Sequence, residues 1–130
     1  MRPASTTEFA LSRIGQIYVP VQDLARATRF YRDILGMTFL FEVPGMAFFD
    51  CGGIRLMLGT PEDKSAARPA TIIYYLVEDI QDAYATLKGR GAHFEREPHF
   101  LAKLATGDLW MTFLRDSEDN MLGLQSEVRA

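Results

Sequence analysis

Short runs of alternating apolar and polar residues flank two longer segments in which apolar residues recur with a helical period. Spacings of three and four residues place the apolar side chains on one face, as is typical of an amphipathic helix that covers a sheet. The predicted helix faces are Leu24, Ala27, Tyr31, Ile34 and Leu35, and Ile80, Ala83, Tyr84 and Leu87. The flanking runs predict eight strands, over residues 14–19, 37–43, 46–50, 54–58, 71–77, 92–97, 109–114 and 121–125.

The predicted elements follow the order β-α-β-β-β twice along the chain. Asp23 and Asp79 each precede a helix, where the carboxylate can accept a hydrogen bond from a free helix N–H. Gly36 and Gly91 stand where each helix must end, since glycine adopts the left-handed conformation readily. The sequence therefore predicts a single α+β domain over residues 1–130, made of two modules at 13–60 and 70–127.

Two polar connections interrupt this repeat. Residues 61–69 carry proline at both ends and are predicted to link the modules. Residues 98–108 are predicted to form a long surface loop in the second module only. Long loops in compact domains are often functional, so we expect this loop to border a binding cavity.

Composition and charge narrow the classes of partner. The chain has 130 residues, of which 48% are hydrophobic, and a formal net charge of −3, which argues against nucleic acid as a partner. Cys51 is the single cysteine, so no intramolecular disulfide forms and a reducing cytoplasm is expected. Residues 1–8 do not resemble a signal peptide, and no apolar run is long enough to span a bilayer. We therefore expect a cytoplasmic protein without a membrane partner.

Three motifs resemble the vicinal-oxygen-chelate superfamily, which includes glyoxalases, extradiol dioxygenases, fosfomycin-modifying enzymes and bleomycin-resistance proteins. They are Asp-Leu-Ala-Arg-Ala at 23–27 leading to Phe-Tyr-Arg-Asp-Ile-Leu-Gly-Met at 30–37, Val-Glu-Asp-Ile at 77–80 with Gly91, and Asp-Ser-Glu-Asp-Asn-Met-Leu-Gly-Leu at 116–124. The resemblance covers about residues 13–127. It implies eight strands in one curled, incomplete barrel with a ligand cavity in the concave face, and it implies a homodimer.

The positions that bind a metal ion in metal-dependent members of this superfamily carry other residues here. Those members hold a divalent cation with His, Glu or Gln side chains from four strands. The equivalent positions are Gln16, Leu56 (uncertain by one residue), Ile72 and Gly123. Three of these side chains cannot bind a metal, and one neutral amide oxygen is too few ligands. The resemblance therefore implies the fold without its metal, and we expect no cofactor.

The same four positions are predicted to line a roomy apolar cavity, and three further residues join them. Tyr74 shares strand parity with Ile72, so we expect it to face the cavity. Trp110 either stacks on a flat ligand or packs beneath the loop. His99 begins the predicted loop, where an imidazole could donate a hydrogen bond to a ligand or serve as a general acid or base. These assignments predict ligand-binding roles for Gln16, Leu56, Ile72, Tyr74, His99, Trp110 and Gly123.

Three functions remain open on this basis. The leading hypothesis is a metal-free homodimer that binds a small apolar or aromatic molecule, as bleomycin-resistance proteins sequester a drug in grooves at the dimer interface. The second is an isomerase or lyase in which His99, with Glu97 or Tyr74, transfers a proton. The third is a metal enzyme with ligands relocated to His93, Glu95 and His99.

Overall fold

The structure is a computed structural model that describes residues 9–61 and 71–129. All but the first residue of the predicted 61–69 linker lie outside these ranges. Within them, the α+β class predicted from the sequence is confirmed, with two sheets and few helices. No helix of the described ranges is long and apolar enough to cross a membrane.

The first module is a four-stranded sheet covered by one helix. Its strands are β1 (Gln16–Pro20), β2 (Thr38–Val43), β3 (Met46–Cys51) and β4 (Ile54–Gly59), in the order β1-β4-β3-β2. β1 runs parallel to β4, and the other pairs are antiparallel. Helix α1 (Leu24–Arg29) begins where the Asp23 carboxylate accepts from the Arg26 N–H at 3.1 Å. It continues into a π-helical turn, Phe30–Ile34, that ends as the Leu35 N–H donates to the Phe30 carbonyl at 3.0 Å.

The second module repeats this plan with one more strand. Its elements are β5 (Ile73–Leu76), α2 (Ile80–Gly89), β6 (His93–Phe94), β7 (His99–Leu104), β8 (Gly107–Arg115) and β9 (Met121–Val128). The strand order is β5-β9-β8-β6, and β7 also pairs with β8. β5 is parallel to β9, as β1 is to β4. Within the described ranges no strand pairing joins the two sheets, so the barrel is open.

The prediction of a long loop over residues 98–108 is wrong. Residues His99–Leu104 form β7, and Gly107 already begins β8, so the segment is a tight hairpin. The register shifts between Phe100 and Ala102, which leaves Leu101 as an extra residue and breaks the alternation that marks a strand. The strand predicted over 92–97 is correspondingly reduced to His93–Phe94.

One apolar core joins both modules. Buried side chains of the first sheet and α1 meet those of the second sheet and α2; the core residues are Val19, Val21, Ala27, Phe30, Tyr31, Ala47, Phe49, Leu56, Leu58, Ile80, Ala92, Leu114, Leu122 and Leu124. Each sheet therefore buries one face. The opposite side of each sheet, called the open face below, carries several exposed aromatic and aliphatic side chains.

Polar contacts of Tyr31, Glu118 and Arg90 tie the modules together around this core. The buried Tyr31 hydroxyl donates to the Asp116 carboxylate at 2.8 Å. The Glu118 carboxylate accepts from the Gln22 N–H at 2.7 Å, just before α1. The Arg90 guanidinium, at the end of α2, donates to the Ile34 carbonyl at 3.0 Å. Each contact joins a helix terminus or helix face of the first module to the second module.

Candidate functional site

Gln16 lies on the open face of the first sheet and is engaged by a cation. Its amide oxygen accepts from Arg55 Nε at 2.8 Å, and its amide nitrogen lies 3.9 Å from the Met57 sulfur. Gln16 pairs with Arg55 across β1 and β4, so both side chains project from the same side of the sheet. The oxygen that a ligand or metal would need is therefore already hydrogen-bonded to a guanidinium.

Leu56 does not face the open side of the sheet, contrary to its predicted position in the cavity. It is 2% exposed and packs in the core under α1. Successive residues of a strand point to opposite faces, so a register error of one residue exchanges core for cavity. Arg55 and Met57 occupy the open face instead, and neither is among the predicted ligand-binding residues. Leu58, two residues further, is also buried. Leu56 and Leu58 therefore share the core face of β4, and Arg55 and Met57 share its open face.

Gly123 lies on the open face of the second sheet, and the ring of Tyr74 covers it. A β-carbon built at residue 123 would lie 2.5 Å from Tyr74 Cδ2 and 2.8 Å from Cε2. Tyr74 pairs with Gly123 across β5 and β9, and its ring contacts Phe113 edge-to-face with centroids 5.8 Å apart. The prediction that Tyr74 and Gly123 share a face therefore agrees with the strand register. The space vacated by the missing side chain is filled by the tyrosine ring.

Aromatic rings cluster on both open faces. In the first sheet, Phe41 and Phe48 stack with centroids 4.5 Å apart, and the Arg55 guanidinium lies 5.7 Å from the Phe48 centroid. Tyr18 shares this row through its register with Met57 and Phe48, and its hydroxyl donates to the Gly59 carbonyl at 3.3 Å. These flat apolar surfaces can stack on a planar ligand. Phe41 and Phe113 were not predicted from the sequence to lie on this surface.

His99 is on the same face as Tyr74. It lies opposite Met111, which in turn lies opposite Gln125 on β9. Its Nδ1 atom is buried and has no hydrogen-bond partner within the described part of the chain. A buried polar atom without a partner is uncommon, and it marks a place where a ligand could supply the missing bond.

The other predicted positions do not gather around His99. Trp110 lies opposite Phe100 and Ser126, on the core side of the second sheet, so it packs beneath the sheet and is not on the face of Tyr74. Ile72 is half-buried and directly precedes β5. His93 is exposed, and Glu95 forms an ion pair with Arg115 at 3.5 Å.

The residues at the four positions predicted from the resemblance do not fit a divalent metal. The open-face donors at or beside these positions are the Gln16 amide oxygen, which a guanidinium already occupies, and the thioether of Met57, the residue after Leu56. Soft thioether and neutral amide donors do not replace the carboxylates and imidazoles that first-row divalent ions need. Over residues 9–61 and 71–129, no three His, Cys, Asp or Glu side chains lie close enough together to hold a metal ion.

The two modules together define a duplicated α+β fold in which each sheet is covered by one helix. Residues 13–118 match the Glyoxalase/Bleomycin resistance protein/Dioxygenase superfamily. The chain therefore belongs to that superfamily, as the sequence motifs indicated.

Relatives and solved structures agree with this assignment. The chain is 37% identical over 119 residues to the metallothiol transferase FosB of Staphylococcus haemolyticus, covering 89% of this chain and 68% of the relative. It resembles a superfamily member from Sphaerobacter thermophilus with a TM-score of 0.75 and 24% identity, covering 90% and 98% of the two chains. It also resembles lactoylglutathione lyase from Agrobacterium tumefaciens with a TM-score of 0.69 and 21% identity, covering 89% and 94%. The two structural likenesses establish the fold alone.

Proposed function

We propose that this protein is a metal-free binding member of the superfamily, which takes a small apolar or aromatic molecule on its open sheet faces as a homodimer. One observation carries the proposal most directly: the ring of Tyr74 covers Gly123, where the resemblance places a metal-binding carboxylate. An aromatic ring at that point provides apolar contact and no charge, so it favours a neutral guest.

The first sheet supports the same class of ligand. Phe41, Phe48 and Tyr18 supply flat apolar area, and Arg55 with Gln16 supplies hydrogen-bond donors at its edge. Ligand sites commonly combine mostly apolar walls with a few polar groups that fix orientation. A planar ligand with one or two peripheral oxygen atoms fits this composition.

Exposed apolar side chains on the open faces support the dimer. Tyr18 is 44% exposed, Tyr74 is 43% exposed and Leu76 is 70% exposed. Apolar patches of this kind on a small protein are often covered by another chain, so a second copy would enclose the ligand between open faces. Sedimentation at micromolar concentration tests this arrangement. A species near 14.7 kDa would contradict it, whereas twice that mass would support it.

The names of two similar proteins suggest chemistry that this chain does not carry over. A metallothiol transferase is named for a metal and a thiol, and a lactoylglutathione lyase for a glutathione derivative. The Gln16–Arg55 pair and the Tyr74 ring oppose a metal at the corresponding positions here. The free Cys51 thiol also fits a reducing compartment, and we place the protein in the cytoplasm.

Metal titration and ligand screening test the binding proposal together. A specific ligand of the folded state at a hundredfold excess over its Kd stabilises the protein by about 2.7 kcal/mol, so a metal site would be visible as a rise in melting temperature. We expect Mn(II), Ni(II), Fe(II) and Zn(II) to leave the melting temperature unchanged. Planar aromatic compounds should raise the melting temperature, and Phe48→Ala should reduce that shift. Stoichiometric metal with a clear stabilisation would refute the proposal.

A second candidate, proton-transfer catalysis, rests on the unpartnered Nδ1 atom of His99 on the open face. In this alternative His99 exchanges a proton with a bound substrate in an isomerase or lyase reaction. His99→Ala should then abolish turnover while ligand affinity changes little. If a ligand binds and no turnover is found with the wild-type protein, the binding role stands alone.

A further inference from the structure

A separate cavity lies behind the sheets, between the two modules. Its volume is about 340 Å³, and it opens at the start of β2 and at the β3–β4 turn. It is distinct from the open face of the second sheet, because the lining residues from that sheet, and from the segment just after β5, project toward the core. Those residues are Tyr75, Val77, Leu114, Leu122 and Leu124.

The cavity has a polar mouth and an apolar floor. Gly36, Thr38, Asp50 and Gly52 are exposed around its opening. Leu114, Leu122 and Leu124 are buried at its floor, and Leu87 of α2 closes one side. A pocket that leads from solvent to a buried apolar floor is the common form of a small-molecule site.

The wall near the mouth is formed by Leu35, Gly36 and Met37, which directly follow the π-helical turn, and a contact from the second module lies beside it. After Ile34 the chain reverses through Gly36, which has a φ of +73°. Arg90 donates to the Ile34 carbonyl at 3.0 Å, so the ends of α1's π-helical extension and of α2 are held together beside the cavity. This contact joins the first and second modules beside the opening.

One polar atom in the lining has no partner. The Tyr75 hydroxyl oxygen is buried and makes no hydrogen bond within the described residues. Burial, followed by the nearby Cys51 and Asp116, raises the pKa of Tyr75 well above that of an exposed tyrosine, so the hydroxyl keeps its proton. Burial, followed by Asp50, likewise raises the pKa of the Cys51 thiol. The inner cavity is thus uncharged at neutral pH and offers a hydroxyl that can donate.

We infer that this inter-module cavity is a second binding site, for a neutral hydrophobic molecule whose single oxygen acceptor receives a hydrogen bond from Tyr75. Leaving a buried hydroxyl unpaired costs free energy, and an acceptor on the ligand removes that cost. Asp50 is the charged side chain of the lining and the Arg90 guanidinium lies beside the mouth, so the opening carries no net charge that favours an ion over a neutral molecule. The volume lies at the lower end of the range for ligand pockets, which suits a molecule of one or two fused rings.

A matched pair of probes tests this site: 2-acetylnaphthalene carries a carbonyl oxygen, and 2-ethylnaphthalene has nearly the same shape without it. Binding to the full chain is measured by isothermal titration. Its location is read from methyl NMR shifts of Leu87, Leu114, Leu122 and Leu124 in the cavity, and of Met57 and Met111 on the open faces. We expect shifts at the cavity methyls with both probes, and tighter binding of the carbonyl compound.

Tyr75→Phe removes the donor and leaves the volume almost unchanged. This variant should bind 2-acetylnaphthalene about fivefold more weakly, which is the effect of losing one typical hydrogen bond. Its affinity for 2-ethylnaphthalene should not change. Tyr84→Phe is the matched control, because that hydroxyl lies on α2 where it accepts from Lys88 and does not line the cavity. It should change neither affinity.

Val77→Phe fills the cavity and should abolish binding of both probes at the cavity methyls. If this variant is too unstable to fold, the comparison of the two probes in Tyr75→Phe decides alone. Shifts confined to Met57 and Met111 would overturn the cavity site while supporting ligand binding on the open faces. Absence of binding, or an equal loss for both probes in Tyr75→Phe, would also overturn it.

Discussion

The ring of Tyr74 lies across Gly123 so closely that any side chain at residue 123 must displace it. The two residues face each other on neighbouring parallel strands, β5 and β9. Tyr18 has a similar relationship in the first module, where a β-carbon at Gly59 would lie 2.8 Å from Tyr18 Cε1. In both modules a tyrosine ring on the open face therefore depends on a glycine beneath it.

Gly123→Ala should destabilise the protein by about 1–3 kcal/mol, the usual cost of forcing extra volume into a packed position. Tyr74→Ala/Gly123→Ala should lose much less than the sum of the two single losses, because the ring that clashes is absent. Urea denaturation of the four proteins measures this coupling. Additive losses would mean that the ring and the glycine are independent.

Glu118 contributes stability that should be lost at acid pH. Burial alone raises the pKa of its carboxyl, but the hydrogen bonds from the Gln22 N–H, from Arg26 and from the Asp23 N–H outweigh burial and hold the pKa below its usual value of 4.5. A carboxyl whose pKa is lower in the folded state than in the unfolded chain stabilises the fold fully at any pH above its unfolded pKa. That contribution is lost as the pH falls through the folded-state pKa.

Glu118→Gln should therefore lower the free energy of unfolding by about 1 kcal/mol at pH 7, and the difference from wild type should shrink as the pH falls below about 4.5. Urea denaturation at pH 7, 5 and 3.5 measures this. Glu42→Gln, an exposed residue of β2, is the control and should show no comparable loss. A difference that stays constant with pH would contradict the role of the charged carboxylate.

The repeat and the helix starts could be predicted from sequence because local chemistry specifies them. Asp23 and Asp79 both cap helices, accepting from Arg26 and Asp82 as their positions indicate. The face of Tyr74 also followed from strict alternation in β5.

The prediction of strands and of their faces was wrong where the alternation of apolar and polar residues is locally broken, or where neighbouring apolar residues conceal it. β7 contains an extra residue at Leu101, so its apolar residues do not alternate with polar ones. The sequence pattern therefore predicted a loop at the position of this strand. β4 is apolar on both sides of Arg55, which hides that Leu56 belongs to the core and Met57 to the open face. The cavity beside Tyr75 depends on how the modules pack, and no short motif encodes that packing.

Tyr31 should make stability fall at alkaline pH. Burial, followed by the charge of Asp116, raises the pKa of Tyr31 well above 10.0, and its hydroxyl donates to Asp116 at 2.8 Å. A raised pKa in the folded state stabilises fully below the unfolded pKa, and the contribution is lost as the pH rises above about 10. Tyr31→Phe should cost about 1–3 kcal/mol at pH 7, because Asp116 loses a buried donor.

The same variant should show a shallower loss of stability between pH 9 and pH 11, measured by urea denaturation. Tyr84→Phe removes a hydroxyl that accepts from Lys88 on α2, and it should retain the stability of the wild type at pH 7. If the Tyr31→Phe protein lost stability as steeply as wild type above pH 10, another group would control the alkaline transition.

Restoring metal-binding side chains should succeed only when the Tyr74 ring is removed. Gln16→His, Ile72→His and Gly123→Glu together supply three donors at the positions assigned by resemblance, but a side chain at residue 123 collides with that ring. We expect Zn(II) to leave the melting temperature of this triple variant unchanged. Addition of Tyr74→Ala should permit a Zn(II)-dependent rise, since a ligand that binds only the folded state stabilises it. Zinc binding by the triple variant with Tyr74 intact would show that the ring does not exclude the metal.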